Sequence, residues 1–346
     1  MQNASNTHAI SPGRRLILGE FKLSVSSVFS FFVALVCATY FSSAPVDVFP
    51  DRPNYLDAAE WRSLAYLSSI WDGPIWLIPL SEPFWHLVNV SLGLVLSPEY
   101  VVRLLVFFPA FVLYFIAVKH FSSKGSYGLS ICFVLLALHP IYISNHFHHL
   151  RFALALSFFV LALQSNGIYK RALLLALSPL VHVSFFVFLA LLAFGKVSER
   201  LRYRKSLLTL MVVVLSAVIV ASLGAAENLA VTQLQRYSER ELNVGGGMFV
   251  VMLFLFFLLA SDGRRFATEN TLALAFLGLY LSSYWVFPYS RRFLDAGMWF
   301  VLIAGLSLSK MRRFAFVAVF GAVVVEFLLR RIHMPYLGFA YDWYYD

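Results

Sequence analysis

A group of imidazoles and one guanidinium lies between two apolar segments of the chain. Residues 139–151 read HPIYISNHFHHLR, and His182 follows after a further apolar segment. Ionisable side chains beside membrane-length apolar segments are costly to bury and mark functional sites by default. Histidine and arginine can transfer a proton and hold an anion. The sequence therefore places a candidate site around these residues.

Arg151 opens an apolar helix. It could be an interfacial anchor whose guanidinium reaches lipid headgroups. It could instead clamp a phosphate, because Ala153 and Ala155 are small and let this helix end pack inside a bundle. We favour the clamp.

His182 lies between two valines, shortly after Ser178-Pro179. A single histidine in an apolar run is often a hydrogen-bonded core residue. Beside a proline break it could also orient a sugar hydroxyl or accept its proton. Both interpretations stay open.

The remaining histidines form a weak metal signature. His146, His148 and His149 have no nearby cysteine or carboxylate of the usual metal-site spacing. We expect no metal there, and we expect His148 and His149 to line a substrate site.

The composition indicates the elements that must position these residues. Of 346 residues, 60% are hydrophobic and only 13% are charged, whereas soluble domains carry about 25% charged residues. We predict an all-α polytopic integral membrane protein, one membrane domain over 1–346, with roughly 10–11 transmembrane or re-entrant helices. In this class a net charge of +9 indicates basic cytoplasmic loops rather than nucleic-acid binding. The two cysteines offer neither a disulfide framework nor metal-site spacing.

Several regions differ from the apolar runs. Residues 1–20 are predicted to be a loose cytoplasmic arm, followed by an uncleaved signal anchor at 23–41. Residues 45–100 are rich in acidic residues and prolines, and we expect an irregular outer-face lobe of short or re-entrant helices. The loop 225–246 and the tail 330–346 are also placed at the outer, periplasmic face.

Basic loops set the predicted orientation. Residues 170–171 and 196–205 are both basic, although a single apolar run separates them. We expect a hairpin broken near Pro179, with His182 close to its tip; one kinked spanning helix is the alternative. With the hairpin, all lysines fall inside and the outer cations are all arginines. Arginine matches phosphate and carboxylate through a rigid fork.

Other outer residues are candidates for the same site. Arg291 and Arg292 could form a second clamp, or a loop pair satisfied by Asp295. Asp51 and Tyr55 could order their loop or bind an acceptor, with Asp51 as a base. Further substrate-binding candidates come from two outer loops: Arg236, Tyr237 and Tyr289.

Several of these residues together resemble a known family. Asp51 and Tyr55, then Ser81-Glu-Pro-Phe84, Arg151-Phe-Ala-Leu-Ala and Ser178-Pro-Leu-Val-His182, followed by Arg291-Arg292, are similar to the EpsG/Wzy-type bacterial polysaccharide polymerases. The resemblance covers about residues 45–300, with short motifs. The family often has Gln after the arginine, where this chain has Phe152, and the histidines at 146–149 are not part of its pattern.

The resemblance implies a GT-C-like glycosyltransferase of the bacterial inner membrane that makes O-antigen or a related polysaccharide. It would join oligosaccharide repeat units carried on undecaprenyl pyrophosphate at the periplasmic face, by inversion and without a metal or cofactor. Arg151, with Arg291 or Arg292, would hold the pyrophosphate. His182, or failing that Asp51, would take the acceptor proton. The implied partners are these lipid-linked glycans, membrane lipids and a chain-length regulator protein, with no nucleic acid.

Other functional classes remain open at this stage. An O-antigen ligase-like enzyme would use the same donor with a different acceptor. A sugar or lipid transporter could use the polar cluster as a gate, and a membrane acyltransferase could use an outer Arg and His. The chain has no P-loop, dinucleotide glycine pattern, H-E-x-x-H or G-x-S-x-G motif, which disfavours ATP-driven transport and serine or zinc hydrolysis.

Overall fold

The computed structural model describes residues 15–18, 21–46, 52, 55–56, 59, 75–200, 246–285 and 290–334. These residues are almost entirely helical, as predicted. A short antiparallel pair, β1 (Arg15–Leu18) and β2 (Phe21–Ser24), precedes the first helix, with Arg15 opposite Ser24. The end of the N-terminal arm is therefore paired rather than loose. Ser24 then caps the first helix, accepting a hydrogen bond from the Ser27 amide at 3.2 Å.

Within residues 75–200 and 246–334, short connections join successive helices. The helices are α1 (Val25–Ser43), a 3-10 helix (Ile75–Ser81), α2 (Pro83–Gly93), α3 (Pro98–Ser122), α4 (Tyr127–Leu136), α5 (Pro140–Phe147), α6 (Leu150–Gln164), α7 (Ile168–Val181), α8 (Phe185–Arg200), α9 (Gly246–Ala260), α10 (Arg264–Glu269), α11 (Thr271–Ser283), α12 (Ser290–Leu306) and α13 (Lys310–Arg331).

Helix length identifies the candidate membrane spans. Among the described residues, α1 and α3 are long and apolar enough to cross a membrane. The pair α4 and α5 passes the same test together but is bent by 76°, which gives up to three spans. Shorter apolar helices of 10–17 residues follow in α6, α9, α11 and α12. The described part of the chain is thus a helical protein with two or three candidate spans, and the larger number remains a prediction.

A sharp bend separates α4 from α5 within a mostly apolar stretch of the sequence. Pro140 occupies the first turn of α5, and the Nδ1 atom of His139 accepts a hydrogen bond from the Ile141 amide at 3.2 Å. Proline at this position starts a helix but cannot continue the preceding one. The histidine-rich stretch is therefore largely a short helix between two breaks, not a loop.

Helices α7 and α8 form a hairpin around α6. At the start of α8, the ring of Phe185 lies 5.2 Å from that of Phe152, near the start of α6. Further along α8, Lys196 lines a cavity together with Gln164, the last residue of α6. Since α8 runs in the same direction as α6, α7 must run the opposite way between them. The chain reverses at residues 182–184, just after Pro179, which lies inside α7.

Contacts between helix ends show that the other helices also alternate in direction. Ser30 in the second turn of α1 hydrogen-bonds Ser122 at the end of α3 (Oγ–Oγ 3.0 Å), and Arg103 near the start of α3 donates to the Ser42 carbonyl at 2.8 Å. Asp262, after α9, accepts a hydrogen bond from Ser309, before α13. The bundle therefore has two ends, and these ends differ in the cationic side chains that they carry.

We call these the arginine end and the lysine end. Among the described side chains, the lysines at 119, 124, 170, 196 and 310 all belong to helix ends on the same side of the bundle, together with several arginines. The opposite side carries Arg52, Arg103, Arg151, Arg330 and Arg331. The described cations thus follow the Arg-only pattern that the hairpin topology predicts for one face.

Aromatic packing fixes the helices around α6. The stacked rings of Phe185 and Phe188, 4.1 Å apart, contact Phe159 on α6 and Phe276 on α11. Gly297 on α12 lies so close to Phe276 that an added Cβ atom would overlap the phenylalanine Cβ. This close approach packs α12 tightly against α11.

Candidate functional site

Glu82 is the centre of a polar cluster at the arginine end. It is buried, immediately precedes Pro83 at the start of α2, and has a left-handed backbone (φ 56°, ψ 50°). The residue before a proline is steered away from the right-handed helical region. A non-glycine residue held in the left-handed region costs of order 1–3 kcal/mol and persists where surrounding contacts determine it. Those contacts come from two other helix ends.

Arg151 provides the first contact. It is the second residue of α6, and its Nη1 atom donates to Oε2 of Glu82 at 2.6 Å. Tyr55 is a second hydrogen-bond partner of Arg151. The Arg151 side chain is 31% exposed, whereas that of Glu82 is 3% exposed. The guanidinium therefore joins a buried carboxylate on one side and remains accessible on the other.

The break between α7 and α8 provides the second contact. The Val183 amide, at the tip of this hairpin, donates to Oε1 of Glu82 at 3.2 Å. Helix α7 ends with the His182 amide bonded to the Ser178 carbonyl, and the Phe185 amide returns a bond to the His182 carbonyl. Glu82 thus fixes the hairpin tip on which His182 lies.

The His182 ring is held through Nδ1. This atom lies 2.9 Å from the Ser184 hydroxyl oxygen and 3.8 Å from Oε1 of Glu82. The rings of His182 and Phe152 meet edge to face with their centroids 5.5 Å apart, so Phe152 helps to position the imidazole. The Ser184 amide also donates to Nδ1 at 3.3 Å, so in this geometry the neutral ring carries its proton on Nε2. The His182 side chain is 22% exposed, and Nε2 would accept a proton from a ligand only after the ring proton moves to Nδ1.

This geometry argues against a serine nucleophile. In a Ser-His-acid triad, the serine and the acid use different nitrogens of the imidazole. Here Ser184 and Glu82 both approach Nδ1 of His182. The acyltransferase alternative therefore gains no support from Ser184.

The other histidines do not converge on one point. His146 is buried and stacked on Phe41 at 4.8 Å. His148 is buried, and burial, together with Arg52, lowers its pKa to about 4, so that it is neutral at neutral pH. His149 lies at the break between α5 and α6, with Nδ1 3.9 Å from Oδ2 of Asp295. Within the described part of the chain, no group of three or more His, Cys, Asp or Glu residues could hold a metal ion.

Arg52 has a structural role in this region. Its guanidinium donates to carbonyls at the end of α1 and just beyond it (Phe41, Ala44 and Pro45) and at the end of α5 (His146 and Phe147), at 3.2–3.4 Å. The last carbonyls of a helix lack partners within the helix and carry its negative dipole end. Arg52 is fully buried and joins both helix ends, in keeping with the loop-ordering interpretation of its segment.

The structure gathers some of the predicted site residues. Arg151, His182 and Tyr55 meet around Glu82, and His149 lies beside Asp295. Arg291 and Arg292 occupy the first turn of α12, one turn before Asp295, but their side chains are outside the description. Asp51, Arg236, Tyr237 and Tyr289 lie outside the described residues.

Sequence analysis missed Glu82 as a site residue, although it noted the Ser81-Glu-Pro-Phe84 motif. A signal was present, since Glu82 is the single carboxylate between residues 75 and 96, a stretch of otherwise apolar and neutral residues. A lone carboxylate in such a segment is expensive to bury without a partner. That cost alone makes it a candidate.

Comparison with protein-family models, curated proteins and solved structures finds no match for this chain. Its function must therefore be argued from the cluster itself.

Proposed function

We propose that this chain is a membrane glycosyltransferase that joins oligosaccharide repeat units carried on undecaprenyl pyrophosphate. The observation that supports this most directly is the Glu82–Arg151–His182 cluster. It brings a guanidinium and an imidazole to one buried carboxylate, at the end of the bundle where the described cations are all arginines. The product would be O-antigen or a related polysaccharide.

The proposed reaction is a direct displacement. The acceptor hydroxyl oxygen bonds to the anomeric carbon of the donor, and the bond from that carbon to the pyrophosphate oxygen breaks. The electron pair leaves with undecaprenyl pyrophosphate, and Nε2 of His182 takes the hydroxyl proton when the ring carries its own proton on Nδ1. Attack from the side opposite the leaving group inverts the anomeric configuration.

The pyrophosphate carries the developing charge. Arg151 lies in the first turn of α6 and Arg291 and Arg292 in the first turn of α12, where helix dipoles add positive potential. Preorganised donors in a site sheltered from water stabilise a leaving anion strongly. With arginines in this role, the proposed mechanism requires no metal or other cofactor.

The cation distribution supports a membrane orientation. Lysine and arginine are enriched in cytoplasmic loops. The lysine end carries more of the described cations, because several arginines accompany its lysines, so it would face the cytoplasm and the arginine end the periplasm. Under this proposal the protein is a multi-pass protein of the bacterial inner membrane with a GT-C-like arrangement. The shorter apolar helices would then cross the membrane as parts of the bundle.

A transporter is the second candidate. Helices broken at a buried charge are typical of transporters, and both Glu82 and the α7–α8 break have that character. A ligase-like enzyme would share the donor site and differ in its acceptor.

Deletion of the gene in its native bacterium separates these functions by glycan length. A polymerase predicts single repeat units attached to lipid A where long chains were present. Loss of all attached repeats would instead indicate a ligase or a flippase, and unchanged chain lengths would contradict all three. Complementation with the intact gene is the control.

A further inference from the structure

The ion pair between Arg151 and Glu82 limits Arg151 as an anion clamp. The 2.6 Å hydrogen bond to a buried carboxylate neutralises much of its charge. A guanidinium prefers carboxylate and phosphate for the same geometric reason, since both present two oxygens to its fork. A bound pyrophosphate and Glu82 therefore compete for Arg151.

The same carboxylate also faces His182. Its Oε1 atom lies 3.8 Å from Nδ1 and accepts the Val183 amide from the hairpin tip. The backbone of Glu82 is held in the left-handed region, and the side chain is buried, so the carboxylate cannot leave when Arg151 does. Its negative charge would then act on the imidazole.

We infer that Glu82 is a positioning residue that couples donor binding to proton transfer: the carrier pyrophosphate draws Arg151 away, and the uncompensated carboxylate draws the ring proton of His182 to Nδ1, which frees Nε2 to act as the base. This inference rests on the proposed function, because it uses the pyrophosphate as the competing anion. His182 would reach full basicity only when a donor is bound.

The coupling has a signature that a structural role would not produce. Replacing Glu82 by Gln removes the competitor for Arg151, so the carrier should bind more tightly. It also removes the charge beside His182, so turnover should fall. A variant that merely disturbed the fold would weaken both.

The test uses the full-length chain in lipid nanodiscs and undecaprenyl pyrophosphate without glycan as the probe. We expect Glu82→Gln to bind this probe at least about 5-fold more tightly than wild type, within the usual range for coupled sites. Its kcat for polymerisation should fall by about 100-fold. In the Arg151→Gln background, Glu82→Gln should give no gain in affinity. Glu99→Gln, which breaks the exposed Glu99–Arg103 pair at the same end of the bundle, should change neither quantity.

The outcomes are distinguishable. The inference fails if folded Glu82→Gln protein binds the probe no more tightly than wild type. It also fails if the gain in affinity persists when Arg151 is replaced. In both cases the proposed function still stands if the wild-type protein polymerises. Wild-type protein that neither binds the probe nor polymerises overturns both. If Glu82→Gln does not fold, Glu82→Asp replaces it; this variant lengthens the pair to Arg151 but keeps the charge. It should bind the probe more tightly with a kcat loss below about 10-fold, and unchanged affinity contradicts the coupling.

Discussion

Glu82 and Arg151 are 69 residues apart in the chain and are joined by a 2.6 Å hydrogen bond. This contact ties the start of α2 to the start of α6, and through Val183 it also fixes the break between α7 and α8. Three helix ends that share no sequence pattern are thereby held at one carboxylate. The chemistry proposed for the protein depends on this junction.

His182 should be required for turnover more than for folding. We expect His182→Gln to lower kcat by about 10²–10⁴-fold, since a positioned acid–base group contributes that much. Thermal unfolding should change little, because the side chain is partly exposed. Lipid-linked repeat units, purified enzyme and gel-resolved products provide the measurement.

Ser184→Ala is the matched control at the same hairpin tip. It removes the hydroxyl 2.9 Å from Nδ1 of His182 and should lower kcat by no more than about 10-fold. A Ser184→Ala variant as inactive as His182→Gln would point back to serine chemistry.

Arg52 should be required for stability. Arg52→Met leaves carbonyls at two buried helix ends without their donor, and a buried unsatisfied group costs about 1–3 kcal/mol. We expect the free energy of unfolding, measured by denaturant titration in detergent, to fall by about 3 kcal/mol or more. Arg103→Met removes a partly exposed arginine at the same end and should cost about 1 kcal/mol or less. Equal losses for the two variants would contradict the capping role.

Asp262 should make stability depend on pH at the lysine end. Burial raises its pKa, but hydrogen bonds from Ser309 and Arg312 outweigh burial, so the pKa lies below its usual value. A lowered folded-state pKa gives stability that is present above the unfolded pKa and lost as the pH falls through the folded one. Because Asp262 caps the start of α13 through the Ser309 amide, Asp262→Asn should cost about 1 kcal/mol at neutral pH.

The difference between wild type and Asp262→Asn should shrink as the pH falls below about 4. Unfolding curves at a series of pH values measure it. Glu269→Gln is the control, since Glu269 pairs with Arg265 on an exposed surface. A constant difference at every pH would show that the carboxylate charge is not involved.

Gly297 should not tolerate a side chain. The Cβ atom of Gly297→Ala would overlap Phe276, and neither helix can shift without opening the aromatic packing between α11 and α12. We expect a loss of about 1–3 kcal/mol, as for other overpacked cores. Gly128→Ala is the matched change in an open helical position and should be neutral or stabilising. The thermal unfolding midpoints of the two variants are compared with that of wild type. Equal midpoints for Gly297→Ala and Gly128→Ala would contradict the close packing at Gly297.

Local patterns allowed much of the helical architecture to be predicted. Apolar runs located the helices because each must bury its backbone bonds internally. The basic clusters on both sides of one run, with Pro179 between them, indicated the hairpin whose tip carries His182. By contrast, hydrophobicity alone did not predict the 76° bend after α4. The bend is caused by His139 and Pro140, which lie within an apolar stretch that would otherwise be read as one helix.

The site could be predicted only in part. Arg151 and His182 were visible as costly side chains in apolar surroundings. Glu82 was not, because its importance comes from partners 69 and 101 residues away, and sequence spacing carries no information about such pairs. His148 and Arg52 are the opposite case, because they are polar and lie near the site in the sequence. The structure buries them for packing and for helix capping.

Transfer between purified lipid-linked repeat units tests the central claim most directly. Wild-type protein in liposomes should convert them to longer glycans and release one undecaprenyl pyrophosphate for each bond formed. Arg151→Gln should lower kcat/KM by about 10²–10³-fold, whereas Arg103→Gln should retain nearly wild-type activity. Absence of products with wild-type protein, or equal rates for wild type and Arg151→Gln, would contradict the proposed role of Arg151 in pyrophosphate-dependent glycosyl transfer.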